Sequence, residues 1–138
     1  MLTAIAAAQP PSTADDRIPL TLPEIRRLLA DRERILGADR PETLTSRNNL
    51  AHTYQTAGDL GRAIPLFEDT WVARERVQGA DHPETLISLN NLAHACAAAG
   101  DSGRAASLYA TALPRCERVL GVDHPLTTLV RGSLASLR

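Results

Sequence analysis

The sequence predicts an all-α solenoid of antiparallel helix pairs, two full repeats flanked by two half repeats, and three observations lead there. Gly37-Ala38-Asp39-Arg40-Pro41 returns as Gly79-Ala80-Asp81-His82-Pro83 and again as Gly121-Val122-Asp123-His124-Pro125, a period of 42 residues. The run from Glu42 to His52 returns at the same interval as Glu84 to His94, with Asn48-Asn49-Leu50-Ala51-His52 matched residue for residue by Asn90-Asn91-Leu92-Ala93-His94. Between the turns, apolar residues recur at three- and four-residue spacing, the mark of a helix with one buried stripe. A fixed period of this size means that each unit is a supersecondary element that stacks on its neighbours to bury its apolar face. Function is therefore sought on the surface that stacking creates.

Residues 1–19 read as a leader. Met1 to Ala8 is apolar but short and lacks a basic segment before it, so a secretory signal is not expected. Gln9 to Asp16 has the composition of a loop, and Met1 to Ala8 folding back as a cap over one end of the array is one expectation for it. A half repeat, 20–37, follows as a lone second helix (helix B) closed by Gly37.

In the first full repeat, 38–79, helix A begins at Pro41, where a missing N–H costs nothing. It is expected to bury Leu44, Leu50, Ala51 and Tyr54 with the stem of Arg47, and to end at Gly58. Helix B opens at Asp59 and is expected to bury Ala63, Phe67, Thr70, Trp71 and Val77, with Gly79 as a left-handed C-cap. Trp71 is expected at the packing centre between successive repeats. The second full repeat, 80–121, follows the same plan from Pro83 through Gly100 and Asp101, with Ala105, Tyr109, Ala112, Leu113 and Val119 inside. A final half repeat, 122–138, opens a lone helix A at Pro125. His82 and His124, just before their prolines, read as N-caps. Pro65 and Pro114 fall inside helix B, where a proline costs up to about 3 kcal/mol unless the helix bends, so a kink is expected at Pro114.

Several function classes are disfavoured. A net charge of −1 excludes strong electrostatic steering by the molecule as a whole. With 3% aromatic residues and no basic stripe, no nucleic-acid partner is expected. No apolar run approaches the roughly eighteen residues of a membrane span. The four histidines are spread through the array, and equivalent positions in successive repeats lie about 10 Å or more apart, too far to share a metal. Cys96 near an A–B turn and Cys116 well along helix B cannot pair, and read as buried free thiols of an intracellular protein. No phosphate loop, nucleophile elbow or pair of carboxylates at working spacing is present, so neither an enzyme nor a cofactor is expected. Arg74-Glu75-Arg76 reads as solvated ion pairing on helix B.

Leu50-Ala51-x-x-Tyr54 followed by Ala63-x-x-x-Phe67 resembles the tetratricopeptide repeat signature, and Leu92-Ala93 with Ala105-x-x-x-Tyr109 repeats it. The ordinary unit of that family has about 34 residues. The longer period here, with its Asp-His-Pro turn and Asn-Asn-Leu-Ala helix, resembles the repeats of kinesin light chains and of arrays in actinobacterial regulatory proteins. The resemblance covers about residues 20–138, and weakens where Cys96 replaces the aromatic and Gly132-Ser133 replaces the paired Asn. It implies a right-handed superhelix whose helices A line a concave groove and whose helices B form the convex side.

On that reading the groove residues are those of helix A outside the buried stripe: Thr45, Asn48, Asn49, His52, Gln55 and Thr56, then Ile87, Asn90, Asn91, His94, Ala97 and Ala98. An Asn amide offers one acceptor and two donors, suited to hold the backbone of an extended peptide. Two readings stand for each Asn pair: bracing a neighbouring helix A, favoured for Asn48 and Asn90, and gripping a ligand, which the resemblance favours for Asn49 and Asn91. For His52 and His94, groove lining is favoured over a pH or carboxylate sensor. The expected function is a non-catalytic, cytoplasmic interaction scaffold that binds a protein or peptide segment. The alternative is self-assembly into a homo-oligomer through the half-repeat ends, Ile25, Leu28 and Leu29 of one copy packing on Leu129 and Leu134 of the next.

Overall fold

The computed structural model describes residues 21–137, which form six α-helices and no strand: α1 Leu22–Leu36, α2 Pro41–Thr56, α3 Leu60–Gln78, α4 Pro83–Ala98, α5 Ser102–Leu120 and α6 Pro125–Ser136. The leader and the cap expected of Met1 to Ala8 lie outside the described residues.

The punctuation acts as local chemistry demands. A proline opens α2, α4 and α6. His82 Nδ1 accepts from the Glu84 N–H at 3.1 Å and His124 Nδ1 from the Leu126 N–H at 3.0 Å, so both histidines are caps, whereas Arg40 at the equivalent place forms no side-chain cap. Asp59 and Asp101 accept from the N–H groups of Arg62 and Arg104 at 3.2 and 3.1 Å and start α3 and α5. The glycines that close each helix B differ from the left-handed cap expected: Gly37, Gly79 and Gly121 combine φ of 98°, 97° and 100° with ψ of 158°, 158° and 155°. That region is open essentially to glycine alone, and its extended ψ carries the chain away from the helix axis toward the next Pro.

Each helix packs on the one before it and the one after it in the chain. Helix A has two buried faces. One turns to the preceding helix B: Ser46 accepts from the Arg32 guanidinium and Ser88 from that of Arg74, at 2.8 and 2.7 Å. This face stays buried in α6 as Thr127, Val130 and Leu134. The second face is buried as Leu44 and Ala51 in α2 and as Leu86 and Ala93 in α4. In α6 its counterparts Thr128 and Ala135 are exposed. Phe67 and Tyr109 are the largest wholly buried side chains of helices B.

Several side chains sit elsewhere than periodicity suggests. Val77 and Val119, in the last turns of α3 and α5, are 48% and 37% exposed; Ile35 shares their register at the end of α1 and is exposed as well. Trp71 and Leu113 are half-buried, packed on the margin of the core. Arg74 is 6% exposed and bonded to Ser88, with no carboxylate partner among the described residues, so it is not the solvated ion-pair member expected. Burial pushes its guanidinium below the usual range, against a weaker opposing pull from Glu84. Its neighbours do form ion pairs, Arg76 with Asp39 at 2.9 Å and Glu75 with Arg115 at 3.4 Å.

Helices α3 and α5 run unbroken through Pro65 and Pro114. The carbonyls those prolines leave without a donor belong to Gly61 and Ala110, both exposed, so the freed acceptors lie open to solvent. Cys96 and Cys116 are free and buried, and burial raises both thiols above their ordinary range. Among the described residues no helix is long and apolar enough to cross a membrane, and no group of three or more potential metal ligands comes together.

Candidate functional site

Stacking brings α2 and α4 edge to edge, and the candidate groove residues meet along that line. Asn91 Nδ2 donates to Asn48 Oδ1 at 3.3 Å. Further along the same line, Gln55 Nε2 lies 3.1 Å from His94 Nδ1, with the amide donating when the ring carries its proton on Nε2. His52 packs its ring against that of Phe67 in a T-shaped pair, centroids 5.0 Å apart at 79°, although the residue as a whole is exposed. That packing removes water from the imidazole and holds its pKa below the ordinary value; nearby His94 pushes the same way and Gln55 opposes.

The two Asn pairs have diverged. Asn48 is half-buried and braced by Asn91, while Asn49 is exposed. Asn90 is only 9% exposed, and its Oδ1 is sealed from water without a hydrogen-bond partner among the described residues. The cause lies on the next helix: Ser133 holds the position equivalent to Asn91 and is shorter. The flanking Gly132, where α2 and α4 have Asn48 and Asn90, leaves open space beside it.

None of the seven residues Asn48, Asn49, His52, Gln55, Asn90, Asn91 and His94 carries a fixed charge. The structure brings Asn48 with Asn91, and Gln55 with His94 and His52, into one strip, and sets Asn90 behind it. The strip changes along the array: Thr45, Ile87 and Leu129 occupy one exposed register, so a hydroxyl gives way to two aliphatic side chains. Leu129, grouped in the sequence with the self-association residues, belongs to this register. Its exposure is shared by Thr45 and Ile87 inside the array, a signal that the repeat alignment carried. Of the other self-association candidates, Leu29 and Leu134 are buried in the chain's own core, and Ile25 and Leu28 are half-buried.

On the opposite side, α1, α2 and α3 border a cleft of about 610 Å³ that periodicity alone did not reveal. Leu29, Leu66 and Ala73 give it an apolar lining, and Glu33 and Asp69 stand among its acidic groups.

Two tetratricopeptide repeat family models match the sequence, at residues 43–84 and 72–118, together more than half of the chain. No curated protein matches it. Among solved structures, a Podosopora anserina kinesin-light-chain-like protein with nearly identical TPR-like repeats superposes with a TM-score of 0.79 at 25% identity, covering 84% of this chain and 55% of that one. A single-substitution form of the same protein superposes with a TM-score of 0.79 at 24% identity over the same shares. The chain thus spans about 55% of the length of these structures. With its 42-residue helix pairs, paired Asn and small-residue contacts, the chain belongs to the tetratricopeptide repeat family, in its kinesin-light-chain-like form.

Proposed function

We propose that the chain is a non-catalytic scaffold that holds an extended peptide or partner segment along the strip formed by α2, α4 and α6. Repeats of this family generally mediate contacts between proteins. The observation that carries the reading is the Asn48–Asn91 bond beside the Gln55–His94 bond, which sets a continuous row of uncharged donors and acceptors across two helices. A row without fixed charge suits a peptide backbone, whose N–H and C=O groups recur whatever the sequence. Ile87 and Leu129 add an apolar contact toward α6. The exposed Asn49 is free to serve a ligand, so the gripping role is assigned to Asn49, His52 and the outer edge of Asn91.

Calorimetric titration of a partner recovered by its affinity for the chain tests this. Asn49→Ala with His52→Ala is expected to leave the melting temperature within a few degrees and to weaken binding by about 1 to 3 kcal/mol, the worth of lost hydrogen bonds. Unchanged affinity in a folded double variant sinks the reading. A second reading, self-association through the α1 end, is favoured by one observation: Ile25 and Leu28 are half-buried where their counterparts Phe67 and Tyr109, and Thr70 and Ala112, are wholly buried. Sedimentation of Ile25→Glu against the unaltered chain tests it, and equal masses at high concentration reject it.

A further inference from the structure

The interval between helices B occurs twice in the described residues, and the two copies are filled differently. Between α3 and α5, Trp71 is half-buried on the core with its indole Nε1 sealed from water. In the same interval the Arg115 guanidinium crosses to Glu75 at 3.4 Å. Between α1 and α3 the positions one repeat earlier hold Leu29 in place of Trp71 and Ala73 in place of Arg115, and there the cleft is open. The earlier counterpart of Glu75 is Glu33, which lines that cleft. Two large side chains of the second interval are thus absent from the first, while the carboxylate that receives one of them remains.

We propose that the cleft between α1 and α3 is a second interaction site, distinct from the α2–α4 strip, that takes an aromatic side chain with an adjacent arginine from a partner segment. The ring would lie against Leu29, Leu66 and Ala73. The volume of about 610 Å³ falls in the range of ordinary ligand pockets. The guanidinium would meet Glu33 and Asp69. Glu33 already shares its carboxylate with Arg47 at 3.2 Å, while Asp69 has no ion-pair partner among the described residues and can receive the added cation. Arg47 also lines the cleft, where the fully buried Leu89 lies in the second interval, so an inserted ring gains a cation beneath it. An acidic or purely aliphatic segment has neither match.

The test is a nuclear magnetic resonance titration of the whole chain with the capped tetrapeptide Gly-Trp-Arg-Gly, and with Gly-Ala-Ala-Gly as control. Saturable shifts at Leu29, Leu66 and Val72 are expected with the first peptide alone. Leu29→Trp and Ala73→Arg each supply from within what the peptide brings, so each is expected to weaken binding by about tenfold, equivalent to 1.4 kcal/mol. Both copy the second interval, and unchanged melting temperatures show that they fold. If one fails to fold, the other decides. The proposal is overturned if no saturable shift appears, if both folded variants bind as the unaltered chain does, or if the shifts fall on Asn48, Asn91 and His94 instead.

Discussion

Asn91 and Asn48 form a rung between α4 and α2, Nδ2 to Oδ1 at 3.3 Å, and one repeat later the rung is broken because Ser133 stands where a second Asn91 would be. Asn90 is left with a buried, unpartnered carbonyl oxygen. An orphaned buried acceptor costs about 1 to 3 kcal/mol, whereas an apolar side chain of similar shape carries no such penalty. Asn90→Leu is therefore expected to raise stability in urea unfolding, and Asn48→Leu, which strips Asn91 of its acceptor, to lower it. Equal losses in both variants would show that Asn90 has a partner after all.

The buried Arg74 rests on the Ser88 hydroxyl at 2.7 Å. Ser88→Ala alone leaves a desolvated cation with one bond fewer and is expected to cost about 1 to 3 kcal/mol. Adding Arg74→Met removes the charge while keeping the volume, so the double variant is expected to recover that loss or exceed the unaltered chain. Denaturant midpoints of the single and double variants decide it, and a double variant weaker than Ser88→Ala refutes the account.

His52 gives a pH dependence whose sign follows from its lowered pKa. The unfolded chain takes up the proton first, near the ordinary imidazole value of about 6.5. The stabilisation from the neutral ring is thus fully present above that pH and is lost as pH falls from there through the folded-state value. Melting temperatures from pH 8 to 5 should fall less steeply in His52→Gln than in the unaltered chain. Parallel curves would remove His52 from the explanation.

Gly79 and Gly132 respond oppositely to a methyl group. Neither has an atom within 4 Å of an added Cβ, so backbone conformation alone decides. At Gly79, with φ of 97°, alanine costs about 1 to 3 kcal/mol of strain. In the helical Gly132 it gains about 0.5 to 1 kcal/mol of stability by reducing unfolded-chain entropy. Thermal unfolding of the two variants checks both signs.

Helix boundaries were legible in the sequence because Pro41, Pro83 and Pro125 and the closing glycines act on their own turn, within reach of local reasoning. The exposure of Val77 and Val119 was not, since helical phase says which way a side chain points and nothing of what stands opposite it. Arg74 was misjudged as a surface charge because its burial depends on Ser88, fourteen residues on and in another helix. A signal did exist: Arg32 precedes Ser46 by the same interval and makes the same bond, and both members change together to Cys116 and Val130 in the last copy. In the candidate site, the helix A register could be drawn up in advance. The pairing of Asn91 with Asn48 rather than Asn49 could not, because it depends on the offset between stacked repeats.

Every helix packs mainly on its predecessor and its successor in the chain, so little of the packing closes a long loop. Such a chain should fold fast for its size, because little loop entropy is lost before packing repays it. Its parts should also open unequally. Amide hydrogens of α4, both faces of which are buried as Leu86, Ala93, Ser88 and Leu92, are expected to exchange last, and those of α6, packed mainly on α5 among the described residues, to exchange early. Partial opening at that end would loosen Leu129 while leaving the α2–α4 strip assembled, so the molecule can fray at one margin and still present its face.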